Sequence, residues 1–235
     1  MASQLRILNI GNTHIHSFLS EGRDSYTHEC VLDTARCLAL KEEWTKEPLA
    51  VSSVVPRMTE LCRKTGCFIV SPSGKLPFAP SELDFSTVGA DRLANAAALL
   101  AGSLPALCVD FGTAITLEYV TENRAFSGGA ILPGRALMRK ALHDHTGLLP
   151  ELPLYDSIPE IPGLNTVHAL RIGMDHTLVA GVRSLVEKFR RLGVRRVVAC
   201  GGDRHFFLQY MEEMEDGGEY FTVKGIRMLW EYNQQ

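Results

Sequence analysis

Two short stretches about a hundred residues apart constrain the fold more than anything else in this chain: "NIGNT", Asn9 to Thr13, and "DFGTA", Asp110 to Ala114. Each places a glycine and a threonine in a turn directly after an apolar strand. Gly11 and Gly112 are 112 − 11 = 101 positions apart, the length of one small α/β half. Two such halves facing each other would set the turns on opposite walls of one cleft. Clefts between domains are where small ligands most often bind.

The periodicity of the rest predicts a plan used twice. Alternation and turn signals give strands near Leu5–Ile10, His14–Leu19 and Thr27–Leu32. Asp33 is placed to cap a helix over Thr34 to Trp44. "LAVSSVV" reads as a strand, Pro56 as the first residue of a helix that Gly66 ends, and "CFIV" as a further strand. The first half is thus predicted as β-β-β-α-β-α-β. An Ala-rich helix from Asp91 to Gly102 follows. Three strands come next, with turns at Gly112 and Asn123, and then a helix that Pro133 opens and that runs to Leu142. A loop rich in Pro and Gly, a long helix from Asn165 or Thr166 to Gly193, and the strand "VRRVVAC" follow. "GGDRHFFLQYMEEM" reads as a turn and helix, and "GEYFTVKG" as a last edge strand. The expected division is residues 1–102 and 103–235.

Composition narrows the function classes. With 24 Lys and Arg against 27 Asp and Glu the formal charge is −3, and the arginine pairs at 190–191 and 195–196 are too short to form a nucleic-acid footprint. The first ten residues lack the basic and apolar regions of a signal peptide, and no long charge-free apolar run follows, so a cytoplasmic protein without membrane or nucleic-acid partners is expected. Six cysteines without a C-x-x-C pair read as reduced core thiols.

Several residues carry chemistry. Glycine turns let backbone N–H groups approach phosphate oxygens, and Asn or Thr beside them adds a side-chain donor. Gly128-Gly129 before "AILPG" and Gly201-Gly202 after a strand bring the glycine turns to four. Asp110, alone in an apolar strand just before Gly112, either caps its own turn or holds a hard cation such as magnesium or potassium. Asp91 and Arg92 open the Ala-rich helix. There they either complement the helix dipole or act as a general base beside a cation that steadies an anionic substrate. His14 and His16 share a strand face, as would any residues two apart, and His143 and His145 form a second pair. Neither pair has a third ligand at metal-binding spacing, so hydrogen-bonded histidines are expected.

In their order, "NIGNT", "SSVVP", "VGADR", "DFGTAIT", "GGAILPG" and "ACGG" resemble the motifs of the type III pantothenate kinases, members of the acetate and sugar kinase/Hsp70/actin superfamily. The resemblance implies an α/β protein of two ribonuclease H-like domains with an ATP cleft between them, assembled as a homodimer. It implies transfer of the γ-phosphoryl of ATP to the hydroxyl of pantothenate, giving 4'-phosphopantothenate, the first step of coenzyme A biosynthesis. By motif position, Asp91 is the catalytic base, and Gly89, Ala90, Asp91 and Arg92 line the substrate together with Thr166. Asn9, Ile10, Gly11, Asn12, Thr13, His14, Ile15, His16 and Thr113 hold ATP. Asp110 holds a monovalent cation, K+ or NH4+, and Mg2+ accompanies the nucleotide.

Two positions depart from the family pattern. Asn9 stands where the D-x-G-N-T motif has Asp, so a neutral amide replaces the carboxylate that would organise magnesium. A Y-x-N-P segment before "GADR" is not recognisable in "SELDFSTVGADR". Three readings are therefore open: a working pantothenate kinase that tolerates Asn9, a catalytically impaired nucleotide-binding homologue with a regulatory role, and a kinase for another small hydroxylated substrate. Asp91, Arg92, Asp110 and Thr113 favour the first.

Overall fold

The structure, a computed structural model, describes residues 4–235. The terminal stretch read above for targeting signals begins with residues 1–3, which lie outside the described range. Ten strands form two five-stranded sheets. The first contains β1 (Leu5–Ile10), β2 (His14–Ser20), β3 (Tyr26–Asp33), β4 (Leu49–Ser53) and β5 (Phe68–Ile69), in the order β3-β2-β1-β4-β5. The second contains β6 (Ala106–Phe111), β7 (Ala114–Val120), β8 (Phe126–Pro133), β9 (Arg196–Cys200) and β10 (Glu215–Asp216), in the order β10-β9-β6-β7-β8.

The same plan is used twice. Each first strand is central, antiparallel to the second strand of its half and parallel to the fourth. The central strands β1 and β6 are buried in the same pattern, every residue but the fifth, because helices or loops cover both faces of each sheet. The fifth residue is Asn9 in one and Asp110 in the other, so the polar positions read from the sequence are structurally equivalent.

Helices fill the space around the sheets: α1 (Pro56–Arg63), α2 (Ala90–Leu99), α3 (Arg135–Asp144), α4 (Thr166–Arg191), α5 (Arg204–Leu208) and α6 (Phe221–Asn233). Helices α2 and α6 lie between the sheets and share one core with both. That core joins Leu5 and Ile7 of β1, Ala94, Ala97, Ile226 and Leu229 of the helix pair, and Ala106 and Cys108 of β6. This position explains why α2 is so rich in alanine, since small side chains let neighbouring elements approach closely. A Cβ on Gly225 of α6 would lie 1.8 Å from the carbonyl oxygen of Ala94, so that crossing requires glycine. The outer face of the second sheet packs under α4 through Leu107, Val109, Leu178 and Val182. The outer face of the first packs Leu8, Ile10 and Val51 against Met58 of α1 and Trp44.

Three expectations are corrected. Residues 34–44 form no α-helix; the chain turns at 34–36 and later makes a single 3-10 turn, Glu42–Thr45. Asp33 does cap, accepting from the backbone N–H groups of Ala35 at 2.8 Å and Arg36 at 3.4 Å, but Thr34 is drawn away toward the first glycine turn. The first half therefore lacks the helix that α3 supplies at the matching place in the second. Pro133 ends β8 on the sheet edge, where a missing N–H is tolerated, and α3 begins two residues later behind Gly134. "GEYFTVKG" is not a strand: residues from Phe221 onward are helical, and the edge strand is Glu215–Asp216. The local alternation of Phe221 and Val223 gave way to burial of Phe221, Ile226 and Leu229 at helical spacing against α2 and the first sheet.

Candidate active site

The two glycine turns end their central strands at the same edge of the molecule and meet. Thr13 Oγ1 and Thr113 Oγ1 are 3.0 Å apart. Each turn is closed by its glycine, Gly11 N–H donating to His14 O at 2.9 Å and Gly112 N–H to Ala114 O at 3.2 Å. The first loop is one residue longer, because Ile10 pairs with Ile15 whereas Phe111 pairs with Ile115. The turns are braced from behind. Thr34 donates to Thr13 O through its N–H at 3.0 Å and to Gly11 O through its hydroxyl at 2.9 Å. In the second half Gly134 N–H donates to Thr113 O at 2.9 Å, and a Cβ there would lie 2.3 Å from Gly112 O. The last glycine of "AILPG" thus supports the turn of "DFGTA". Asn12, Thr13, His14 and Thr113 are exposed at these turns.

Asp91 and Arg92 stand in the first turn of α2. Gly89 is the N-cap, in extended conformation, and a Cβ on it would come within 2.6 Å of Asp91 Oδ1. Asp91 Oδ1 also accepts from Arg92 N–H at 2.8 Å. Burial raises the Asp91 pKa above the ordinary carboxylate value, outweighing the backbone donors and the charge of Arg92. A carboxyl so raised is a better proton acceptor than a solvated aspartate.

Asp110 faces the helix pair. Asn95, fully buried in α2, donates to Asp110 Oδ2 at 2.9 Å and accepts from Thr222 of α6 at 2.7 Å. Burial pushes Asp110 up to about 6, against the pull of Asn95, and the nearby Asp91 adds to the rise. A Cβ on Gly201 would lie 2.4 Å from Asp110 Oδ1, so the last glycine turn leaves that oxygen its room. An oxygen left in that state suits a hard cation, and substrate oxygens, backbone carbonyls and water would complete its shell. Among the described residues no group of three or more His, Cys, Asp or Glu side chains is arranged to hold a metal.

The same region holds Glu118, a fully buried carboxylate on β7 that the sequence reading passed over. Its Oε1 accepts from Arg92 Nε at 2.9 Å, and burial pushes it up to about 8 against the charge of Arg92. Glu118 in "ITLEYV" and Asn95 in "LANAAALL" carry the signal that marked Asp110: one polar residue in an otherwise apolar element.

The remaining predicted residues are spread more widely. Asn9 is half-buried between His16 on β2 and Ser52 on β4, and the buried hydroxyl of Ser52 has no partner among the described residues. Ile10 and Ile15 are core residues, so their side chains hold the turn rather than a ligand. His16 Nδ1 lies 3.4 Å from His28 Nε2, and His28 pairs with Glu219 at 2.7 Å. Burial, then the neighbouring His28 and His14, lowers the His16 pKa. Ala90 is buried under the turn. Thr166 opens α4 and lines an apolar groove with Met138, Leu142, Leu149, Leu170 and Met174, apart from the Asp91 constellation.

Comparison with known proteins identifies the family. Residues 6–188 match the family model described as type III pantothenate kinase. A type III pantothenate kinase of Exiguobacterium is 29% identical over 97% of this chain and 99% of its own length. That of Methylacidiphilum infernorum is 35% identical over 79% of this chain and 71% of its own. Among solved structures, a Campylobacter jejuni protein assigned to the Baf family of transcriptional activators superposes with a TM-score of 0.66. It covers 97% of this chain and 98% of its own at 21% identity, a likeness of fold. The turns, the "GADR" helix start and the family match converge on one statement: this chain belongs to the type III pantothenate kinase family.

Proposed function

We propose that this protein transfers the γ-phosphoryl group of ATP to the hydroxyl of pantothenate, forming 4'-phosphopantothenate at the head of coenzyme A biosynthesis. The observation that carries this reading is the meeting of Thr13 and Thr113 at 3.0 Å beside the strand end that carries Asp110, together with a second half-buried carboxylate, Asp91, at the start of α2. Phosphoryl transfer asks for alignment, charge stabilisation and one proton acceptor, and these residues can supply all three.

In this reading the halves 1–102 and 103–235 form the walls of the ATP cleft. Of the residues Asn9 to His16 and Thr113, the exposed Asn12, Thr13, His14 and Thr113 donate to the phosphates, while Ile10, Gly11 and Ile15 shape the first turn. Asp91 accepts the proton of the attacking hydroxyl, and Gly89, Ala90 and Arg92 hold the acceptor, with Arg92 facing its carboxylate. Asp110 offers Oδ1 to a potassium or ammonium ion. Mg2+ on the nucleotide and that monovalent cation would offset the charge of the transferring group.

The acceptor site also includes Thr166 in this reading, and Thr166 belongs to the surface we assign to a homodimer. Leu148 and Leu164, exposed by 95% and 85%, stand within two residues of Leu149 and Thr166, which line the apolar groove. An apolar surface of that kind is covered when a second copy docks. Six free cysteines suit a reducing cytoplasmic setting.

The test is pantothenate phosphorylation with ATP, magnesium and potassium, for the native chain and Asp91→Asn. Native turnover with a loss of about 10²- to 10⁴-fold in the variant is expected. Equal rates for the two would remove Asp91 from the chemistry, and an inactive native chain would remove pantothenate as acceptor.

A further inference from the structure

Arg92 is held on one edge of its guanidinium by two acceptors from β7: Glu118 Oε1 receives Nε–H at 2.9 Å and Leu117 O receives Nη2–H at 3.3 Å. The remaining nitrogen, Nη1, has no protein partner among the described residues. Arg92 keeps only 15% of its side chain exposed, whereas Glu118 has none. We propose that Glu118 is a positioning residue that fixes the Arg92 guanidinium so that its free edge meets the carboxylate of the acceptor. This rests on the pantothenate reading above.

Glu118 is poorly explained as a device for stability. A carboxylate in a strand interior costs free energy unless every oxygen is satisfied, and Glu118 Oε2 is buried without a partner among the described residues. An apolar residue would fill that place on β7 at lower cost. What the chain gains is an acceptor that cannot swing away, since Oε1 accepts in either protonation state.

The chain also builds the seat for this pair. Gly129 lies directly opposite Glu118 across the β7–β8 pairing. A Cβ on Gly129 would fall 1.6 Å from Leu117 O and 3.3 Å from Glu118 N. Only glycine lets β8 press against the backbone that carries both acceptors of Arg92. The second glycine of "GGAILPG", Gly129, therefore serves the acceptor side of the site, while its last glycine, Gly134, serves the phosphate side.

The test is a double-mutant cycle in pantothenate phosphorylation with Glu118→Met, Glu118→Gln, Arg92→Lys and their combinations. Glu118→Met is expected to raise KM for pantothenate about 10- to 100-fold, with kcat and KM for ATP within about threefold of native. Glu118→Gln, which keeps an acceptor of the same shape, is expected to recover most of that loss. Neither substitution should add to the loss already caused by Arg92→Lys. A native KM in Glu118→Met, or full additivity with Arg92→Lys, overturns the proposal. So does a parallel loss in kcat and in both KM values. A second readout is hydrogen exchange of the Arg92 Nε–H by NMR on the same proteins, with the signal identified by its disappearance in Arg92→Lys. Exchange at least about tenfold faster in Glu118→Met than in the native chain is expected, and unchanged exchange overturns the positioning role. If the native chain leaves pantothenate unphosphorylated, the functional reading fails, and this exchange measurement alone decides whether Glu118 holds Arg92.

Discussion

Thr13 and Thr113, one from each half of the chain, stand with their hydroxyl oxygens 3.0 Å apart at the tips of two equivalent turns. Counting from the glycines, the partner of Thr113 is Asn12; the extra residue in the first loop is what brings Thr13 into reach. Both side chains are exposed, so the bond between them is worth little net free energy and yields readily to a better acceptor. A phosphate between the turns would replace one hydroxyl–hydroxyl bond by two bonds to a charged oxygen.

Thr13→Val and Thr113→Val keep the shape of the turns and remove these donors. Each is expected to raise KM for ATP about tenfold, as the loss of one hydrogen bond to a charged group does. KM for pantothenate should stay near native. Steady-state kinetics with each substrate varied separately would settle it, and an unchanged KM for ATP in both variants would turn the hydroxyls away from the phosphates.

Gly89→Ala tests how closely Asp91 must be placed. Gly89 has φ −62° and ψ 149°, which alanine adopts freely, so backbone strain is not at issue. Its new methyl would meet Asp91 Oδ1 at 2.6 Å and Val54 Cγ1 at 3.7 Å, so the carboxylate must move. A displacement of that size at a proton acceptor costs about 10²-fold in kcat/KM. The melting temperature should change little, and a fall in activity matched by an equal fall in folded protein would refute the argument.

Much of this site was legible because polar residues in apolar strands are expensive. Asp110 stood out in "ALCVDF" for that reason, and the glycine turns stood out because a strand, a Gly and a Thr recur at one spacing. Glu118 and Asn95 obey the same rule, but neither stands beside a glycine turn. Arg135, Arg139 and Asp175 lie deeper in meaning: all three are buried and bonded to one another, yet arginines four apart on a helix look like a solvated face. Their burial is set by how α3 and α4 meet, which no local pattern records. The missing helix after β3 and the unforeseen α6 have one cause as well, since tertiary partners, the first glycine turn and α2, outweighed local preference.

Glu118 makes stability depend on pH in a direction opposite to most carboxylates. Its ordinary value is 4.5, and burial pushes it up to about 8. Between those values the folded state binds more protons than the unfolded, so this contribution to stability is full below the lower value and is lost as pH rises toward the upper. In urea unfolding from about pH 5 to about pH 8, the native chain is expected to lose stability relative to Glu118→Gln, which cannot ionise. A difference between the two proteins that stays flat, or that grows in favour of the native chain, would contradict the raised value.

Asn9→Asp places at position 9 the carboxylate that the resemblance implies for a D-x-G-N-T motif. Position 9 is structurally equivalent to Asp110, fifth in a central strand and next to a glycine turn. It lies beside Ser52, a residue 1% exposed whose buried hydroxyl has no partner among the described residues. A carboxylate there would accept from that hydroxyl and add negative charge facing the nucleotide's magnesium, where the native amide offers one neutral oxygen. We expect kcat to rise about 10²-fold, which corresponds to about 3 kcal/mol of transition-state stabilisation, and half-saturation by magnesium to fall. Titrating magnesium at saturating ATP and pantothenate measures both together. A variant with native kcat and native magnesium dependence would mean that magnesium is organised without a carboxylate at position 9, and that the amide there costs the chain nothing.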